Sequence, residues 1–276
     1  MKQQKISALF LRLAVYLASI ITVGALLFVV GYILVKGVPN LSWKLFEWKY
    51  TTENLSLMPA LLNTILMTGL SLLIAVPLGV FAAVYLVEYA KRGSKLVNLI
   101  RMNAETLAGI PSIVYGLFGM LFFVTALKLG FSMLSGALTI SIMILPVILR
   151  TSEEALMSVP DSFREGSFGL GAGRLRTVFR VVLPDAIPGI LAGVILGVGR
   201  TVGETAALLY TAGTSSDTVS GIMDSARTLS VHMYALSQEG LYINQTYATA
   251  VVLLVIVVGI NALSAAVAKR VTKRKV

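Results

Sequence analysis

Long runs without a charged residue dominate this chain of 276 residues and limit what it can fold into. Residues 13–35, 58–87, 106–127, 129–149 and 241–268 contain no Asp, Glu, Lys or Arg. Each run is about 20 residues or longer, which lets a helix cross a hydrocarbon layer of about 30 Å. A sixth run, 186–212, is long enough but carries Arg200 and Glu204. Helices of soluble proteins alternate an apolar stripe with a polar face, and these runs do not. With 57% hydrophobic and 13% charged residues, the excess of apolar side chains is too large for one water-soluble core. The expected fold is therefore all-α. A polytopic membrane protein would have six spans, at about 13–35, 58–88, 104–127, 131–150, 186–211 and 247–268. They would form a single transmembrane domain, 13–276, after an N-terminal stretch, 1–12.

Charge placement sets the expected orientation. Of the 23 Lys and Arg residues, 17 fall before span one, between spans two and three, between spans four and five, or after span six. The opposite side holds 5, namely Lys36, Lys44, Lys49, Lys128 and Arg227. Both termini are therefore expected in the cytoplasm. The basic start MKQQKISALFLR resembles a signal peptide, but the apolar run is too long and no A-x-A site follows closely, so it reads as an uncleaved anchor. The net charge of +10 flanks spans, where it meets anionic lipid headgroups, and calls for no nucleic acid. There is no cysteine, hence no disulfide or thiolate metal site. The single histidine, His232, cannot build a His-based metal cluster and is expected to be a solvated residue of an outer loop. No metal site is expected.

Residues 36–57, with Trp43, Trp48 and Tyr50, fit an external interfacial element. Spans three and four are joined by little more than KLGFS, an external hairpin. Residues 213–246 form a longer external segment with room for a short re-entrant or interfacial helix. Gly189, Gly193 and Gly197 are spaced to let helices approach closely.

The loop between spans four and five, 153–184, reads as two short helices around a glycine turn at 171–173. Ser162 and Glu165 have the spacing of a capping box after Pro160. Leu175, Val178, Phe179 and Val182 share one face of the second helix, which Leu183–Pro184 is expected to end. By amphipathicity alone, an interfacial helix and a docking knob for a cytoplasmic protein both fit.

The order Glu165, Gly171, Val181, Leu183, Pro184 resembles the EAA loop of ABC importer permeases, with Gly166 and Ser167 for the two alanines and Val181 for isoleucine. The resemblance implies that this loop couples to an ATPase subunit. No G-x-x-x-x-G-K-[ST] occurs, so ATP and its Mg²⁺ would be bound by a separate ATPase, and no cofactor is expected in this chain.

Arg200 and Glu204 lie roughly 21 to 27 Å into the span that begins at Ala186. A charge at such depth normally faces protein or water and serves function. At i, i+4 the two share a helical face, so a self-neutralising pair and a functional pair are both open. Arg150, at the end of span four, reads as a snorkelling interface residue or as one reaching inward.

The segments LAGIPSIVYGLFGM (107–120), LPVILRTSEEAL (145–156), SFGLGAGR (167–174) and GRTVGETAALL (199–209) resemble phosphate-specific ABC importer permeases, specifically the A-type subunit. The likeness runs from about span two to span six; Ala207 stands where those permeases often have proline. It implies a type I importer permease in the plasma (inner) membrane of a prokaryote, one that moves inorganic phosphate by alternating access and catalyses no reaction itself. Its partners would be a second homologous permease, a cytoplasmic ATPase dimer and an external phosphate-binding protein. It also implies that Arg150, Arg200 and Glu204 take part in phosphate passage. Arginine presents a planar fork to phosphate oxygens. A carboxylate beside it would accept a proton from phosphate and repel sulfate, which has none. The rival readings are a permease for sulfate, molybdate or phosphonate, and a channel-like protein without an ATPase.

Overall fold

The computed structural model describes residues 2–91 and 93–273, which form helices and no strand. Arg92, Arg274 and Lys275, counted above among the basic flanks, lie outside the described residues. The first helix, α1, runs Lys2–Gly37. Next, α2 is Met58–Val84, extended by a π-helical turn, Tyr85–Tyr89. Pro59 occupies its first turn, where a missing N–H breaks no bond.

The expected third span, 104–127, is not one helix. Residues 104–108 belong to α3, Lys95–Ala108, and the chain then bends by 102° into α4, Ser112–Gly119, continued by a π-helical stretch, Met120–Ala126. Pro111 causes the bend. It has no N–H to continue α3 and takes an extended ψ of 142° at the entrance to α4.

Helix α5, Met133–Met157, starts at Ser132, whose Oγ accepts the Ser135 N–H at 3.2 Å. Helix α6, Asp161–Gly169, follows Pro160 without any side-chain cap, so the Ser162–Glu165 capping box does not form. Proline at the entrance already sets the backbone angle, which leaves Ser162 inside the first turn. Helix α7, Arg174–Thr177, passes through a π-helical turn, Val178–Val182, into α8, Leu183–Gly203. Leu183–Pro184 therefore does not end the second loop helix. The π-helical register just before Pro184 accommodates a residue with no N–H. The chain breaks at Glu204–Thr205, and α9, Ala206–Leu209, follows. The expected span 186–211 thus starts late and ends past the break. Helices α10, Leu229–Glu239, and α11, Ile243–Lys273, complete the order.

Among the described residues, five helical stretches are long and apolar enough to cross a membrane: Leu11–Asn40, Met58–Tyr89, Met133–Met157, Arg174–Gly203 and Ile243–Leu263. The bent pair Lys95–Ala108 and Ser112–Ala126 supplies a sixth if counted as one span. Helix α5 is the hub, packed between α2 and α8. Met67, Ile140, Met143, Ile144, Ile148 and Leu208 fill the central core. A second cluster, with Leu86, Leu156, Val178 and Val182, lies at the end carrying the 153–184 loop; a third, with Leu45, Leu57 and Leu229, lies at the far end. Helix α1 packs on α11, with Tyr32 edge-on to Tyr247 at 5.8 Å, and its side chains are otherwise mostly exposed.

His232 is not a solvated loop residue. It lies in α10, 1% exposed, edge-on to Tyr50, with Arg227 Nη1 3.5 Å from its Nδ1. The expectation failed because the polar composition of 213–246 gave no sign that this helix packs into the bundle. Burial, helped by the Arg227 charge and opposed by the Leu55 carbonyl, pushes its pKa down from 6.5 to about 4. Between those values the unfolded chain holds a proton that the folded chain does not. Stability therefore falls as pH drops from 6.5 toward 4, by up to roughly 3 kcal/mol. Thermal unfolding in detergent should show a lower Tm at pH 4.5 than at pH 7, and His232→Phe should flatten that slope.

Candidate functional site

The end of α8 is built from small residues and a break. Gly197 and Thr201 are buried, and Thr201 Oγ1 donates back to the Gly197 carbonyl at 2.9 Å. Gly199 and Gly203 leave room on either side of Arg200: a Cβ at Gly203 would meet nothing within 4 Å, and one at Gly199 only Asn261 Oδ1, at 3.7 Å. Arg200 is half-buried, and among the described residues it makes no ion pair or hydrogen bond. Tyr115 of α4 stands within reach of its charge.

Glu204 does not pair with Arg200. The helix stops at Gly203, and Glu204 takes extended angles, φ −72° and ψ 128°. The i, i+4 expectation assumed a helix running through Glu204. Its side chain turns forward instead, and Oε1 accepts the Ala207 N–H at 3.0 Å, as an N-cap residue does. Its carbonyl accepts the Ser230 hydroxyl at 2.5 Å, and its own N–H donates to the Thr201 carbonyl at 3.2 Å. Glu204 is 8% exposed, so the carboxylate is held inside the protein. Ala207 supplies an N–H donor that a proline at this position would lack.

A stitched segment covers this break. Buried Asn63 of α2 donates to the carbonyls of Asp217 (3.0 Å) and Arg227 (3.3 Å), and accepts the Val219 N–H (3.2 Å). The carbonyls of Ile222 and Asp224 accept the first free N–H groups of α5, from Leu134 and Met133. Polar composition alone gave no sign of this role for Asn63 and Ser230.

Arg150 sits apart. Its side chain is 63% exposed and lies against Glu154 (Nε–Oε1 3.1 Å) and Glu105 (Nη1–Oε1 3.9 Å). Gly193 packs on its neighbour Thr151, so Arg200 lies about 10 Å further along the α5–α8 contact. The structure therefore does not bring Arg150, Arg200 and Glu204 into one cluster.

The loop at the other end has a defined form. Gly171 follows α6 with φ +81°; its N–H donates to the Phe168 carbonyl (2.9 Å) and the Ala172 N–H to the Ser167 carbonyl (3.1 Å). That double bond pattern is a Schellman ending, which favours glycine at this position. Glu165 is exposed on α6, Val181 is half-buried in the π-helical turn, and Leu183 and Pro184 open α8. No group of three or more His, Cys, Asp or Glu among the described residues is placed to hold a metal ion.

The family described as the binding-protein-dependent transport system inner membrane component matches residues 75–274. The chain is 33% identical over 240 residues to the Probable ABC transporter permease protein YqgI of Bacillus subtilis (strain 168), covering 82% of this chain and 81% of that one. It is 35% identical over 220 residues to the Phosphate transport system permease protein PstA 1 of Mycobacterium tuberculosis (strain CDC 1551 / Oshkosh), covering 78% and 71%. Among solved structures, a chain of the bacterial alginate ABC transporter in complex with an alginate pentasaccharide-bound periplasmic protein superposes with a TM-score of 0.70 at 17% identity, over 98% of both chains. A chain of the inward-facing MetNI methionine ABC transporter gives 0.56 at 19% identity, over 87% of this chain and 96% of that one. The helices thus have the type I ABC importer permease fold. On the strength of the match over residues 75–274, the chain belongs to the family of binding-protein-dependent transport system inner membrane components, the membrane-embedded permease subunits of ABC transporters.

Proposed function

We propose that this chain is the A-type permease subunit of an ATP-driven importer of inorganic phosphate. The single observation that carries the site is Arg200, a half-buried guanidinium with no ion pair among the described residues, at a break in an apolar helix. A guanidinium left unpaired at that depth is suited to a transient anion, and its fork matches two phosphate oxygens. The phosphate transport permease from M. tuberculosis supports the choice of cargo.

In this reading both termini face the cytoplasm of a prokaryote, in keeping with the basic flanks. A cytoplasmic ATPase dimer docks on Glu165, Gly171, Val181, Leu183 and Pro184, a second homologous permease closes the path, and an external binding protein delivers phosphate. ATP-driven movement of the loop turns the cavity between its two openings. Arg150 contributes when it leaves Glu154 and Glu105, so its replacement weakens transport less than that of Arg200.

The test is uptake of radiolabelled phosphate by the reconstituted complex, with sulfate as competitor. Arg200→Gln should lower phosphate uptake at least about 100-fold, the scale of a lost charged contact, while the ATPase still co-purifies. Uptake of sulfate or molybdate in place of phosphate would move the assignment to another oxyanion. Gly171→Asp should lose the ATPase on purification, because the Schellman ending is strained and a charge enters the loop. Retention of the ATPase would count against docking at this loop.

A further inference from the structure

Arg164 uses all five of its N–H donors, and the acceptors come from three parts of the chain. Nε and Nη2 both reach Glu88 Oε1, at 3.1 and 2.7 Å. Nη2 also donates to the Leu156 carbonyl at 2.9 Å, and Nη1 to the Val159 carbonyl at 2.7 Å and Asp161 Oδ1 at 3.2 Å. A guanidinium has five donors, so none is left over. Glu88 lies in the π-helical extension of α2, Leu156 in the last turn of α5, Val159 just beyond it, and Arg164 itself is in α6. Side-chain exposures are 13% for Arg164 and 8% for Glu88, so water does not screen the pair as it screens a surface ion pair.

We infer that Arg164 is the positioning residue that carries movement of α6 into α2 and α5. The inference rests on the proposed docking of an ATPase at this loop. Glu165, the next residue, is on the docking side of α6, while Arg164 points into the bundle. A helix held only by apolar contacts can slide over its neighbours. One bonded to two span ends through a planar, saturated fork moves with them. Lysine cannot replace this arrangement, since it has three donors on one atom. By contrast, the bond to Asp161 stays within α6 and transmits nothing to the spans.

The chain has no cysteine, so single labels can be placed at will. Cysteines at exposed Leu73 of α2 and Val258 of α11 carry spin labels in the complete complex in liposomes. ATP should change the distance between them in the wild type. Arg164→Lys and Glu88→Gln should remove that change while ATP hydrolysis stays within about twofold, and phosphate moved per ATP should fall about tenfold. A label shift in both variants equal to that of the wild type overturns the inference, as does loss of complex assembly in both, which would make the pair merely structural. Absence of any ATPase from the purified wild-type complex is a separate result and refutes the docking proposal.

Discussion

Alanine in place of Glu204 is expected to abolish phosphate uptake, while Glu204→Gln should keep most uptake and lose discrimination against sulfate. The two substitutions separate two jobs of one side chain. The first is geometric. Oε1 accepts the Ala207 N–H at the break after α8, and the amide oxygen of glutamine can accept the same bond. Alanine leaves that buried N–H without a partner, at about 1–3 kcal/mol, and frees the break to take other angles. Arg200 stands four residues before, so a break that drifts moves the guanidinium with it. The second job is electrostatic. Sulfate carries no proton to share with a carboxylate, so a negative charge at 204 repels it more than protonated phosphate. Glutamine removes that charge. Competition uptake in proteoliposomes reads both effects. Wild-type uptake by the alanine variant would end the capping role, and unchanged selectivity in the glutamine variant would end the charge role.

The other large effect is expected at Gly193. A Cβ there would clash with Thr151 Oγ1 and lie 2.7 Å from Thr151 Cβ on α5. Thr151 cannot easily turn away, because its hydroxyl donates to the Val147 carbonyl at 2.8 Å. Gly193→Val must therefore push α8 from α5, at a cost of about 3 kcal/mol or more. The folded protein recovered from membranes should fall several-fold, since native proteins hold only about 5–15 kcal/mol in reserve. Gly197→Ala, one turn on, is the control. Its Cβ would sit 3.7 Å from Ile148 and Leu72, an ordinary contact, and recovery should be unchanged. Equal losses in both variants would mean that close packing at 193 is not the cause.

What could be read in advance depended on how local the signal was. The spans followed from runs without charge, and the turn at Gly171 from the closely spaced glycines at 171 and 173. The role of Gly193 followed from four-residue spacing, since that spacing repeats along one helix face. The break at Glu204 was hidden because Gly203 and Thr205 are also tolerated inside helices, so the i, i+4 arithmetic looked sound. The bend at 109–111 did have a signal, Gly109 and Pro111, outweighed by the uniformly apolar composition around it. Burial of His232 and the Glu88–Arg164 bond had none. Glu88 and Arg164 are 76 positions apart, and only the fold brings them together.

The uneven burial of the helices bears on how the ribosome delivers them. In α1 none of the most apolar stretch is buried, and it contains no charge, so it can rest in lipid alone as soon as it emerges. In α5 the share is 67%, and that helix carries Ser141 and Glu153. Their partners are the Ser71 carbonyl of α2 and Arg101 of α3, both translated earlier. When α5 leaves the translocon, the groups that satisfy these two side chains are already made, while the first N–H groups of the helix wait for the carbonyls of Ile222 and Asp224. For Ser141 and Glu153 order of synthesis and order of dependence coincide, so a nascent chain need not hold these two polar groups in lipid without a neighbour to receive them.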